Sequence, residues 1–171
     1  MTIDMAGIAQ DSIVDGPGIR TTYFVQGCPH HCHGCQNPET WKFGTGTPMD
    51  TETLADIARS NPLCRGVTFS GGEPFCQAEA LTELARILRT DGYEIAAYSG
   101  YTFEELLKGT DAQRMLLSVL DVLIDGPFLS EERSLELNFR GSRNQRVLNV
   151  PESLRAGKAM AETSPRWLGE Y

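Results

Sequence analysis

Short β-branched or aromatic runs alternate along this chain with stretches of helical period, and this alternation restricts the fold more than any other feature. Thr21 to Val25 (TTYFV) reads as a first strand after a polar lead-in, closed by Gly27. Gly66 to Ser70 (GVTFS) reads as a second, broken by Gly71-Gly72-Glu73-Pro74. Tyr93 to Tyr98 follows with the turn Ser99-Gly100-Tyr101, then Asp121 to Asp125 (DVLID) with Gly126-Pro127, then Arg146 to Val150 (RVLNV). Between them, the turn Gly44 to Pro48 leads to Asp50, a good N-cap for a helix through about Ser60. Gln77 to Arg89 sets Leu81, Leu84, Ala85 and Leu88 at helical spacing, Thr102 caps a stretch carrying Phe103, Leu106 and Leu107, and Asp111 to Leu117 continues in helical period. Pro151 suits the first turn of a closing helix.

Alternation of this kind implies parallel strands joined by right-handed crossovers, with helices over at least one face. Five strands cannot close an eight-stranded barrel, so the expected class is α/β, an open partial β/α barrel of about five parallel strands. The chain's 171 residues can bury one sizeable core. A single domain over 1–171 is therefore expected, its core at about 13–151 and its tail, 161–171, loosely ordered or packed across it. The unusual residues all follow predicted strand ends, which in β/α folds is the active-site edge.

Composition narrows the function classes. A net charge of -8 argues against a nucleic-acid surface, which draws its affinity from clustered Lys and Arg. No stretch approaches the roughly 20 consecutive apolar residues of a membrane span, and MTIDMAGIAQDS lacks a signal-peptide pattern, so a cytoplasmic protein with no membrane partner is expected. Basic residues are denser from Arg133 to Arg146, where a local anion or partner site and a solvated loop are both open readings.

An odd count of 5 cysteines suggests metal or redox chemistry rather than disulfides. Cys28, Cys32 and Cys35 form C-x3-C-x2-C within GCPHHCHGCQN, so three soft thiolates can converge on one inorganic centre. One reading is a zinc site completed by His30, His31 or His33. The other is a four-iron cluster with one iron open to a ligand, since electron-carrier clusters are closed by four cysteines. Gly71-Gly72-Glu73 lets backbone approach a ligand closely and offers a carboxylate that can pair with an ammonium. Cys64 and Cys76 are expected in the core, and His30 and His31 on a solvent-facing loop.

C-x3-C-x2-C after the first strand, with Gly71-Gly72-Glu73-Pro74 after the second, resembles the radical S-adenosylmethionine (SAM) superfamily. The resemblance implies a 4Fe-4S cluster on Cys28, Cys32 and Cys35, with SAM chelating the fourth iron and contacted by Gly34, Cys35, Gln36, Gly71, Gly72 and Glu73. It also implies that one-electron reduction splits SAM to a 5'-deoxyadenosyl radical, so no side chain acts as a catalytic acid or base. Gly34 stands where many members carry an aromatic.

Val14 to Arg20 (VDGPGIR) resembles the activators of glycyl-radical enzymes. GCPHHCHGCQNPETW (27–41), YSGYTFEEL (98–106), DVLIDGPF (121–128) and FRGSRNQRVLNV (139–150) resemble the anaerobic ribonucleoside-triphosphate reductase-activating family, whose aromatic after the third cysteine is here Gln36. The implied act is removal of a hydrogen from a glycine Cα of the large anaerobic ribonucleotide reductase subunit, with an electron donor such as flavodoxin or ferredoxin. Arg140, Arg143 and Arg146 are expected to steer that partner. The alternatives are an activase of a formate-lyase-type enzyme, a small-molecule radical SAM enzyme such as a deazapurine synthase, and a zinc-binding module.

Overall fold

A computed structural model describes residues 1–169. The strands β1 (Thr2–Ser12), β2 (Arg20–Val25), β3 (Thr47–Asp50), β4 (Gly66–Gly71), β5 (Glu94–Tyr98), β6 (Val122–Asp125) and β7 (Arg146–Asn149) form one sheet. Its order is β3-β1-β2-β4-β5-β6-β7. The central strands β2, β4, β5 and β6 are parallel, as the alternation requires, with Thr21 beside Val67, Val67 beside Ile95 and Ala96 beside Val122.

Three features correct the sequence reading. β7 runs antiparallel to β6, pairing Asp125 with Arg146 and Val122 with Asn149. A parallel return needs a crossover, usually helical, whereas residues 126–145 supply a 3-10 turn at Ser130–Glu132 and an isolated bridge between Arg133 and Ser142 but no α-helix. The lead-in is not a loop but β1, antiparallel to β2, and the turn at Gly44 to Pro48 passes into β3, antiparallel to β1. Both strands escape a periodicity search for a physical reason. Irregularities between Met5 and Gly7 and between Ala9 and Ser12 break the two-residue period of β1, and TPMD in β3 has one apolar side chain besides proline.

Of the helices α1 (Thr51–Arg59), α2 (Ala78–Thr90), α3 (Phe103–Leu107), α4 (Asp111–Ser118), α5 (Val150–Ala156) and α6 (Pro165–Leu168), all but α2 and α6 start at a side-chain cap. Asp50 and Thr102 accept from the backbone N–H groups of Glu52 and Glu105, Thr110 forms a capping box with Gln113, and Asn149 accepts from Glu152. Leu54, Leu81, Leu84 and Leu88 of α1 and α2 and Leu117 of α4 bury their apolar stripes on Val67, Phe69 and Ile95 of the sheet.

The opposite face carries Ala96, Val122 and Ile124, and the tail packs there. Trp167 of α6 is 2% exposed and meets the Phe139 ring edge-on at 5.3 Å. Glu94 anchors this segment, accepting from the buried Arg20 and from Arg166, each at 2.9 Å. Burial would raise the Glu94 carboxyl, but the two guanidinium groups outweigh it and hold it below the ordinary carboxylate range. A depressed folded-state pKa makes this contribution complete above the unfolded value of about 4.3, and it is lost as pH falls through the folded value. What was expected of residues 170 and 171 lies outside the described residues. Trp167→Ala is expected to destabilise the protein by about 3 kcal/mol, read by thermal unfolding. Leu168→Ala, at a side chain 47% exposed, is expected to leave the transition nearly unchanged, and equal losses would show that the tail is not anchored through Trp167.

Candidate functional site

The carboxyl ends of β2, β4, β5 and β6 lie side by side, so four loops far apart in sequence meet along one sheet edge. The first carries the cysteines. Its base is pinned by the returning chain, with the Gly27 N–H donating to the Thr40 carbonyl at 2.7 Å and the Cys28 N–H to that of Trp41 at 3.1 Å. Within it the Cys35 N–H donates to the Cys32 carbonyl at 3.0 Å, a turn that brings the second and third cysteines together.

Cys28, Cys32 and Cys35 are all half-buried. Burial pushes the Cys28 thiol up, opposed by the backbone N–H groups of His30 and His31, and the Asn37 N–H donates to Cys35 Sγ at 3.4 Å. Three soft sulfurs on one loop, two of them reached by backbone N–H groups, fit an iron-sulfur cluster. The zinc reading fares worse. Among the described residues no three His, Cys, Asp or Glu side chains gather closely enough for a single ion. Two of the three candidate fourth ligands are engaged elsewhere, His30 with Glu73 and His31 in a stack on Trp41 at 4.6 Å, while His33 is exposed.

The second loop rests on the first. The Gly72 N–H donates to the Val25 carbonyl and the Glu73 N–H to that of Gly27, both at 2.8 Å. A Cβ on Gly71, whose φ is +93°, would lie 2.5 Å from the Val25 nitrogen, and one on Gly72 would lie 2.3 Å from the Gly27 carbonyl oxygen. The two glycines therefore permit close approach of this ledge to the base of the cysteine loop.

Glu73 is 1% exposed, and its carboxylate is occupied by the protein itself. Oε1 accepts from the Ser99 hydroxyl at 2.9 Å and the Phe75 N–H at 3.0 Å, while Oε2 accepts from the Gly100 N–H at 2.8 Å and lies 2.6 Å from His30 Nε2. A carboxylate has about four acceptor positions, and four donors fill them. Glu73, expected as a partner for an ammonium, joins the cysteine loop to the turn after β5. His30 is correspondingly not a solvent-facing residue, its side chain being 17% exposed. Sequence reasoning missed Ser99, Gly100 and His30 as members of the site, although the break after the third predicted strand marked Ser99-Gly100 as unusual.

The remaining assignments divide. Gly34 and Gln36 are exposed on the cysteine loop, and Gly34 adjoins Phe128 of the loop after β6. Cys64 is buried, its thiol donating to the Gly66 carbonyl at 3.2 Å, whereas Cys76 is exposed and not a core residue. Arg146 is held by the buried Asp125, Nε to Oδ1 at 3.0 Å, and by Glu104 at 2.7 Å. Arg140 donates to the Gln145 carbonyl at 2.9 Å, and Arg143 is exposed.

Comparison with known proteins shows the family of this chain. Residues 14–148 match the family described as the 4Fe-4S single cluster domain. The chain is 38% identical over 141 residues to the anaerobic ribonucleoside-triphosphate reductase-activating protein of Vibrio cholerae, covering 78% of this chain and 89% of that protein. It is 34% identical over 143 residues to the protein of the same name from Escherichia coli K12, covering 79% and 91%. It is also 39% identical over 123 residues to the pyruvate formate-lyase-activating enzyme of Clostridium pasteurianum, covering 67% of this chain and 51% of that one.

Proposed function

Because this chain belongs to the anaerobic ribonucleoside-triphosphate reductase-activating family and carries its 4Fe-4S single cluster domain, we propose that it installs a glycyl radical on the large subunit of an anaerobic ribonucleotide reductase. The observation that carries this reading is the clasp of three half-buried cysteines onto the Gly71-Gly72-Glu73 ledge at the carboxyl edge of the parallel strands. In it Cys28, Cys32 and Cys35 hold the 4Fe-4S cluster, and SAM lies along Gly34, Cys35, Gln36, Gly71, Gly72 and Glu73. The chemistry supplied by the bound groups is a one-electron cleavage of the SAM sulfonium, giving methionine and a 5'-deoxyadenosyl radical that takes a hydrogen from a glycine Cα.

The chain's own residues do positional work. Glu73 fixes the separation of cysteine loop and ledge through His30, Ser99 and Gly100. The sheet acts as a partial barrel in one domain, with the tail behind it and the loop edge open to a glycine-bearing segment. The protein works in the cytoplasm and takes its electron from a donor of the flavodoxin or ferredoxin kind.

The match to a formate-lyase activator keeps a second substrate in view, although the chain spans about half of that relative. Electron paramagnetic resonance separates the two. The reduced protein with SAM is expected to produce a glycyl-radical doublet on an anaerobic ribonucleotide reductase from the same source. A doublet on a formate-lyase-type enzyme, with none on the reductase, would overturn the substrate while leaving the radical chemistry.

A further inference from the structure

We propose that Phe128 is a ligand-contacting residue, the ring against which the purine of the bound cofactor lies. The inference rests on the reading that SAM binds at this sheet edge, and it adds a residue not included among the expected contacts. Phe128 follows Asp125-Gly126-Pro127 at the carboxyl end of β6, beside the cysteine loop. Its ring bridges two glycines. A Cβ built on Gly34 would lie 3.5 Å from Phe128 Cε1, and one on Gly141 would lie 3.0 and 3.2 Å from Cδ2 and Cε2. A bulky side chain at Gly34 would compete for the space of this ring, besides straining a backbone at φ +78°.

A core-packing role does not account for the ring. Phe128 is half-buried, yet it belongs to neither apolar cluster, the helix-covered one or the one around Trp167, and among the described residues it pairs with no aromatic ring. Its backbone surroundings are nonetheless fixed. Asn144 Nδ2 donates to the Pro127 carbonyl at 2.7 Å, Gln145 Nε2 to that of Gly126 at 3.1 Å, and the Leu129 N–H to Ser142 Oγ at 3.2 Å. A large apolar ring held at a loop edge, outside either core, is arranged to meet a flat π-surface brought in by a ligand. No Phe, Tyr or Trp lies between Cys28 and Asn37, so the cysteine loop has no such ring of its own. Stacking is insensitive to which base is stacked, so Phe128 supplies affinity for a purine and the surrounding backbone supplies its orientation.

The test uses the anaerobically reconstituted holoprotein and equilibrium dialysis with labelled SAM and, separately, labelled methionine, which lacks the purine. Phe128→Leu keeps apolar bulk and removes the π-face, and Phe128→Tyr keeps the face. The expected result is a SAM Kd raised about tenfold by Phe128→Leu, methionine binding and iron content unchanged, and SAM binding retained by Phe128→Tyr. Unchanged SAM affinity in Phe128→Leu would overturn the assignment, as would equal losses for SAM and methionine. Absence of SAM binding by the wild-type holoprotein would overturn the activase reading itself, and this inference with it.

Discussion

Exchange of Cys28, Cys32 or Cys35 for alanine is expected to take the anaerobically reconstituted protein from about four irons and four sulfides per chain to almost none, and to abolish SAM cleavage. The three thiols share one short loop and are all half-buried, while the two cysteines outside it are placed differently. A cluster with an open iron has no protein ligand to spare, so loss of one thiolate removes a third of its attachment. The loop itself is expected to persist, because its base is held through the backbone of Gly27 and Cys28 to Thr40 and Trp41. Cys64→Ala and Cys76→Ala serve as controls and are expected to keep full iron content. Loss of iron in either control would show the ligand set to be wrong. Uptake of one zinc and no sulfide by the wild type would sink the cluster.

Glu73→Ala is expected to destabilise the protein by about 4 to 5 kcal/mol and to lower the thermal midpoint by about 10 °C, with weaker SAM binding as a secondary effect. The magnitude follows from what the substitution leaves behind. The N–H groups of Phe75 and Gly100, the Ser99 hydroxyl and the His30 ring would all lose an acceptor at a site 1% exposed, and unsatisfied buried donors cost about 1 to 3 kcal/mol each before relaxation. Glu73→Gln keeps one oxygen and the shape, so a smaller loss is expected. A double-mutant cycle with His30→Ala is expected to show coupling above about 1 kcal/mol, because the two side chains are in direct contact at 2.6 Å. If the midpoint stays within a degree or two while SAM affinity alone falls, the carboxylate faces the ligand and the clasp described above is incorrect.

The two experiments probe different levels of the same site. Cysteine spacing is a local property, and C-x3-C-x2-C identifies a convergent thiol set without reference to any distant residue. Glu73 was also conspicuous in the sequence, as part of a glycine-rich break after a strand, but its work was not legible there. An exposed acid and a buried acceptor have the same letter, and the partners that distinguish them lie 43 residues back at His30 and 26 and 27 residues ahead at Ser99 and Gly100.

The four parallel strands, the helices with their apolar faces, the three-cysteine loop and the sheet edge that carries it were legible in the order of residues. Each is encoded by a local signal: a two- or 3.6-residue period, a cap, a glycine break or ligand spacing. The remaining features came from pairing and packing between distant segments. These set β1 and β3 on the far side of β2, where irregular register had erased the period, and turned β7 antiparallel for want of a crossover helix. Pairing and packing placed Trp167 on the sheet face opposite α1, α2 and α4 through Glu94, 73 residues away in the chain, and brought the Phe128 ring against Gly34. These outcomes are settled by hydrogen bonds and close contacts between segments that carry no mark of one another, and such pairings acquire their energy only after the chain has folded.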